Sequence, residues 1–152
     1  AREKGVVAGM ANFHCASARL HAENGDLSRA LAEIDCGTEL MTQAGEEMAY
    51  EPMLAVTRAH VLLTTRKHTT DEGTISDVIA LLNEALDLLD GTGTTWIELE
   101  AAILLGRVVL DAGRPPDAAR SSLKEIYGRI DEGLDRPRLQ EARAVIAALD
   151  AV

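Results

Sequence analysis

Aromatic side chains are scarce in this chain, at 3% of 152 residues: one Phe, one Trp and two Tyr. A core of ordinary size must therefore be built from Ala, Leu, Val and Ile, and such small and branched residues suit closely packed helices. Basic charge is also short. Lys and Arg number 15 against 25 Asp and Glu, a net charge of −10, which repels phosphate backbones and anionic lipid and argues against direct nucleic-acid or membrane-surface binding. Cys15 and Cys36 are the two cysteines, far apart in sequence and without metal-ligand spacing. They read as small buried hydrophobes in a reducing compartment, so the expected location is cytoplasmic. No apolar run approaches the ~18 residues of a spanning helix.

Signatures of chemistry are missing as well. The chain has no Gly-x-x-x-x-Gly-Lys-Ser/Thr, Gly-x-Gly-x-x-Gly or Gly-x-Ser-x-Gly, and no Glu-x-x-His or His-Glu-x-x-His, the spacings that phosphate loops, nucleophile elbows and helical metal sites require. Gly91-Thr92-Gly93-Thr94 lacks a following Lys and reads as a turn. His14 and His21 share a helix face but lie about 10 Å apart at the helical rise, too far for one ion. His60 and His68 fall on different elements. The acid pairs Glu46-Glu47, Asp71-Glu72 and Asp131-Glu132 sit in turns or at helix ends, where they complement the helix dipole. No catalytic residue, metal or cofactor is expected.

What is present is helical periodicity with regular punctuation. Seven helices are expected, over about 6–24, 26–44, 51–66, 76–90, 95–112, 115–130 and 136–150. Val7, Met10, Phe13, Ser17 and Leu20 form the expected apolar stripe of the first, which Asn24-Gly25 ends. Leu27, Ala30, Leu31 and Ile34 serve the second. Pro52 is expected in the first turn of the third, where its missing N–H costs nothing. Residues 67–74 are polar and aperiodic and are expected as a loop.

Small residues recur in register with these helices. Ala18, Ala59 and Gly106 mark the first helix of three pairs, and Ala30, Val78 and Ala118 mark the second. The marks are 12 residues apart in the first and third pairs and 19 in the second, which carries the 67–74 insertion. A hairpin of this kind cannot bury its apolar face alone and stacks on a neighbour. The expected fold is therefore all-α: a single domain over 1–152, a right-handed solenoid of helix-turn-helix hairpins at about 6–45, 51–90 and 95–130, with a capping helix at about 136–150. Its opening at Ala1 without Met suggests a piece of a longer protein.

The segments Ala30-Leu-Ala-Glu-Ile34 and Val78-Ile-Ala-Leu-Leu82, and the pair Leu105-Gly106, resemble tetratricopeptide (TPR) repeats. Three stretches resemble the C-terminal helical region of large bacterial signalling ATPases attached to nucleotide cyclases or to LuxR-type regulators. They are Tyr50-Glu51-Pro52 through Leu62-Leu63, Trp96 through Ala102, and Glu125-Ile126-Tyr127-Gly128 through Asp131-Glu132-Gly133-Leu134-Asp135. His14 departs from the pattern, which would carry a large apolar residue there. The resemblance implies a non-catalytic module for protein-protein interaction and signal coupling. It also implies a concave groove lined by first helices, in which Arg19, His60 and Arg107 form a basic strip beside Asn12, Cys15, Glu23, Met53, Val56, Glu100 and Ile103. The implied partner is a protein or peptide segment, in another chain or elsewhere in the same parent protein, and homo-oligomerisation is compatible with this reading. The alternative is a small-molecule effector sensor using the same groove: an enclosed cavity lined by Trp96 and Ile103 would favour it.

Overall fold

Glycine and short polar caps punctuate the chain where the sequence places them. The computed structural model describes residues 2–65 and 71–152, and among these every regular element is an α-helix. Seven are present: α1 (Arg2–Glu23), α2 (Leu27–Ala44), α3 (Glu47–Thr65), α4 (Glu72–Leu89), α5 (Thr95–Asp111), α6 (Asp117–Gly128) and α7 (Pro137–Asp150). The side chain of Asp26 accepts from the Arg29 amide at the start of α2, and Gly45 closes the helix at φ 69°, a left-handed conformation that costs glycine nothing.

Two boundaries differ from expectation. The helix expected from about 76 starts at Glu72, because Asp71 caps it by accepting from the Thr74 amide at 3.2 Å and the Thr74 hydroxyl at 2.5 Å. Thus 72–74 are helical, while 66–70 of the expected loop lie outside the described residues. Pro52 lies inside α3, not in its first turn, since the helix already begins at Glu47. The proline is buried, and its apolar ring takes a core position.

The chain divides into two compact units, residues 1–69 and 70–152. The boundary falls within the second expected hairpin, leaving Ala59 in the first unit and Val78 in the second. In the first unit α1, α2 and α3 pack on one another around Ala11, Cys15, Ala18, Ala22, Ala30, Ile34, Met41, Leu54 and Val61. Ala18 and Ala30, the expected small marks of the first pair, are both fully buried. Gly37 continues this close packing: a Cβ there would stand 3.1 Å from the Leu54 side chain and 3.3 Å from the Cβ of His14. His14 therefore sits beside α2 as a packing residue, with Nδ1 2.7 Å from the Glu33 carboxylate and its ring edge-on to Phe13.

In the second unit α5 is the central helix, touched by α4, α6 and α7. The core gathers Leu99, Ala102, Ile103, Leu123, Ile126, Leu139, Ala142, Val145 and Leu149. Gly106 is its tightest point. A Cβ there would stand 2.7 Å from Val145 Cγ1 and 3.3 Å from Leu149 Cδ1, so glycine is what lets α5 and α7 approach. Its expected partner Ala118 is exposed, and Ala119 is the buried residue. Five residues separate α5 from α6 whereas three separate α1 from α2, so the two pairs do not share one register of inward positions.

Candidate protein-interaction face

The first helix carries two apolar faces, and the structure turns outward the larger one, which the sequence placed in the core. Inward point Ala11, Cys15, Ala18 and Ala22, all buried. On the far side, about 150° round the helix at 3.6 residues per turn, stand Val6 at 61%, Met10 at 43%, Phe13 at 65% and Leu20 at 58% exposure. None of the five residues expected to form the core stripe is fully buried: Met10, Phe13 and Leu20 face water, and Val7 and Ser17 are half-buried. Only Val7 packs against the core cluster. Small residues win the inner face because α2 and α3 both crowd α1, and a methyl or thiol admits a neighbouring backbone that Phe would hold away.

Beside the open stripe runs a shallow trough of exposed small or short residues, Gly5, Gly9, Asn12 and Ala16. No atom comes within 4 Å of a Cβ placed on Gly5 or Gly9. The outer face of α1 is therefore a ridge of large apolar side chains next to a groove. An exposed patch of this kind, roughly 400 Å² from four such side chains, is the size at which surface apolar area marks an interaction site.

The expected groove residues distribute over both units. In the first, Asn12 is exposed beside the ridge, Arg19 and His60 are half-buried, and Met53 is half-buried against the core cluster. Val56 is 1% exposed and thus closed to a partner. In the second, Ile103 is also 1% exposed, held in the core cluster by its inward register on α5. Arg107 is exposed but engaged, with Nη2 2.7 Å from the Glu141 carboxylate on α7. Glu100 is half-buried, 3.7 Å from Nη1 of Arg138. Cys15, named beside them, is core, while Glu23 is exposed. Val56, Ile103 and Cys15 are accordingly corrected from groove to interior.

Polar side chains in both units tie helices together. Arg58 Nη2 lies 2.6 Å from Asp35, joining α3 to α2. Arg114 reaches Glu72 at 2.6 Å. Arg120 donates to the Leu149 carbonyl at 2.5 Å, and Lys124 meets Asp150 at 2.8 Å, which together anchor the end of α7 on α6. Glu98 is the one buried carboxylate among the described residues, 2% exposed, with Arg129 Nη1 at 3.3 Å. That contact is one of charge, since Oε2 of Glu98 has no partner in hydrogen-bond geometry. Trp96, half-exposed, packs under the Arg136 guanidinium at 5.5 Å, so it opens to water instead of lining an enclosed cavity.

Among the described residues no group of three or more His, Cys, Asp or Glu stands where it could hold a metal ion, and no helix is long and apolar enough to cross a membrane. The ridge on α1 is the feature that sequence reasoning missed, although Met10, Phe13 and Leu20 were singled out as a stripe and Val6 was not. The 4-3-7 spacing of Val6, Met10, Phe13 and Leu20 fits an outward stripe as well as an inward one, and the signal that separates the two was the competing run Ala11, Cys15, Ala18, Ala22 at 4-3-4 spacing. Comparison with known protein families, with curated proteins and with solved structures gives no match to this chain.

Proposed function

We propose that this chain is a non-catalytic protein-interaction module, built of TPR-like stacked hairpins, that couples signals within a larger cytoplasmic bacterial regulator. The observation that carries the reading is the ridge Val6, Met10, Phe13 and Leu20, left open on a helix whose other face is already packed. A soluble helix that exposes large apolar groups at heptad-like spacing has the form that amphipathic partner helices recognise through anchors three and four residues apart.

The partner class is a protein or peptide segment. The test is a fluorescein-labelled amphipathic helical peptide about three heptads long with one Leu stripe, held at trace concentration, titrated with the chain and read by anisotropy. Saturable binding that weakens more than tenfold in Phe13→Glu and Leu20→Glu is expected. Absence of saturable binding up to about 1 mM, a limit near −4 kcal/mol, overturns the proposal.

A further inference from the structure

Glu98 is buried without being satisfied. Its side chain is 3% exposed, and Oε2 accepts no hydrogen bond. A carboxylate held out of water needs both an opposite charge and donors around it. Nη1 of Arg129, at 3.3 Å, supplies the charge alone, although a guanidinium can offer a carboxylate two parallel N–H donors. Arg129 is also free to leave. It is 43% exposed, caps the C-terminus of α6 and heads the irregular stretch 129–136, so its side chain can swing into water without moving a helix. The surroundings favour an incoming cation. Between residues 71 and 106 there are eight Asp or Glu and no Lys or Arg. Asp90, in the turn before α5, and Asp131 and Glu132, just past Arg129, are exposed and have no ion-pair partner among the described residues. Arg136 and Arg138, the next cations along the chain, are taken up by Trp96 and Glu100.

We propose that Glu98 is a binding site for an arginine side chain of a partner protein, and that Arg129 is a displaceable plug that fills it in the free chain. A guanidinium is favoured over an ammonium because its planar fork matches a carboxylate and it is the more weakly hydrated of the two. Binding is an exchange. Arg129 moves out to water, the incoming guanidinium donates to Oε2, and the buried carboxylate keeps a counter-charge throughout. The tethered plug competes at an effective concentration set by its short reach. A lone guanidinium therefore binds weakly, and a partner that adds contacts of its own binds more tightly. The site lies in the second unit and does not depend on the ridge of α1, so either stands if the other falls.

Titration of the whole chain with ethylguanidinium chloride at constant ionic strength, followed by amide chemical shifts, tests this. In the wild type the amides of Glu98 and of 129–132 should shift saturably with a midpoint of about 10–100 mM, the strength of a single exchanged contact. Arg129→Gln removes the plug and keeps a polar stem, so its midpoint should fall by about tenfold or more. Should that variant melt too low for titration, Arg129→Lys keeps a charge that fits less well and should lower the midpoint about threefold. Glu98→Gln should abolish the shifts at these residues, and ethylammonium should need several-fold higher concentrations than ethylguanidinium. No saturable shift at Glu98 in the wild type up to about 200 mM would make the pair a structural bridge and overturn the proposal. Equal midpoints in the wild type and the Arg129 variants would remove the plug. Shifts that survive Glu98→Gln would place the cation elsewhere, and ethylammonium binding as tightly as ethylguanidinium would remove the arginine as its source.

Discussion

Gly106→Ala and Gly9→Ala are the same chemical change in the interior of two helices, and the structure gives them opposite signs. In both, the added methyl removes backbone freedom from the unfolded chain and favours helix by about 0.5–1 kcal/mol. At Gly9 nothing else happens, because no atom lies within 4 Å of the new Cβ. At Gly106 the methyl would stand 2.7 Å from Val145 Cγ1 and 3.3 Å from Leu149 Cδ1, so at least one of these buried side chains must shift. Overpacking of this kind costs about 1–3 kcal/mol and outweighs the helical gain, leaving a net loss of about 1–2 kcal/mol. At ~2–4 °C per kcal/mol for a chain of this size, thermal melts followed by circular dichroism should move Gly9→Ala up and Gly106→Ala down by a few degrees. Trimming the obstacle supplies the internal control. Val145→Ala should cost less in the Gly106→Ala background than in the wild type, a coupling that additive sites would not show. Gly106→Ala stabilising the chain as much as Gly9→Ala would refute the close approach of α5 and α7.

Ala30→Leu and Ala119→Leu should each lose about 1–3 kcal/mol by overpacking, while Ala118→Leu, on the exposed side of α6, should stay within about 0.5 kcal/mol of wild type; urea midpoints decide, and a costly Ala118→Leu would restore the register expected from sequence. Arg129→Ala removes the counter-charge of buried Glu98 and should destabilise by about 1–3 kcal/mol, with Glu98→Gln in that background recovering part of the loss. No recovery in the double variant would mean that the cost lies in the packing of the Arg stem. Arg107→Glu sets a carboxylate beside Glu141, but both side chains reach solvent, so after screening the change should stay below about 1 kcal/mol and shrink as salt is raised.

Helix count and most boundaries could be read from the sequence because punctuation is local. Gly25, Gly45 and Asp26 act within a turn of where they stand, and α2, α5 and α7 begin and end within a residue or so of expectation. Facing is a non-local property, and there the reading failed where two faces compete. On α1 both faces are apolar by composition, and side-chain size points to the wrong one as core. The tertiary neighbours of α1 reversed it, since two helices crowding one side admit Ala and Cys and exclude Phe. Ala118 failed for a related reason: the frame of α6 depends on how many residues the turn before it uses, which no spacing inside the helix reveals. Pro52 belongs with these, because a proline near an acidic stretch signals a helix start without fixing how many turns precede it. Of the expected groove, only the residues with open registers remain on the surface, and Val56 and Ile103 show that a position next to a small mark can still point inward.

The orientation of α1 underlies the docking face, and the two cysteines report it directly. With Ala11, Cys15, Ala18 and Ala22 inward, Cys15 is buried while Cys36 on α2 is exposed. Titration of the native chain with a coloured thiol reagent should modify Cys36 at the rate of an open thiol and leave Cys15 protected until the protein is unfolded. The Cys36→Ser variant should therefore show almost no fast reaction. Were α1 turned with Met10, Phe13 and Leu20 inward, Cys15 would lie on the solvent side, and fast modification of Cys15 in the folded Cys36→Ser variant would contradict the account at its root.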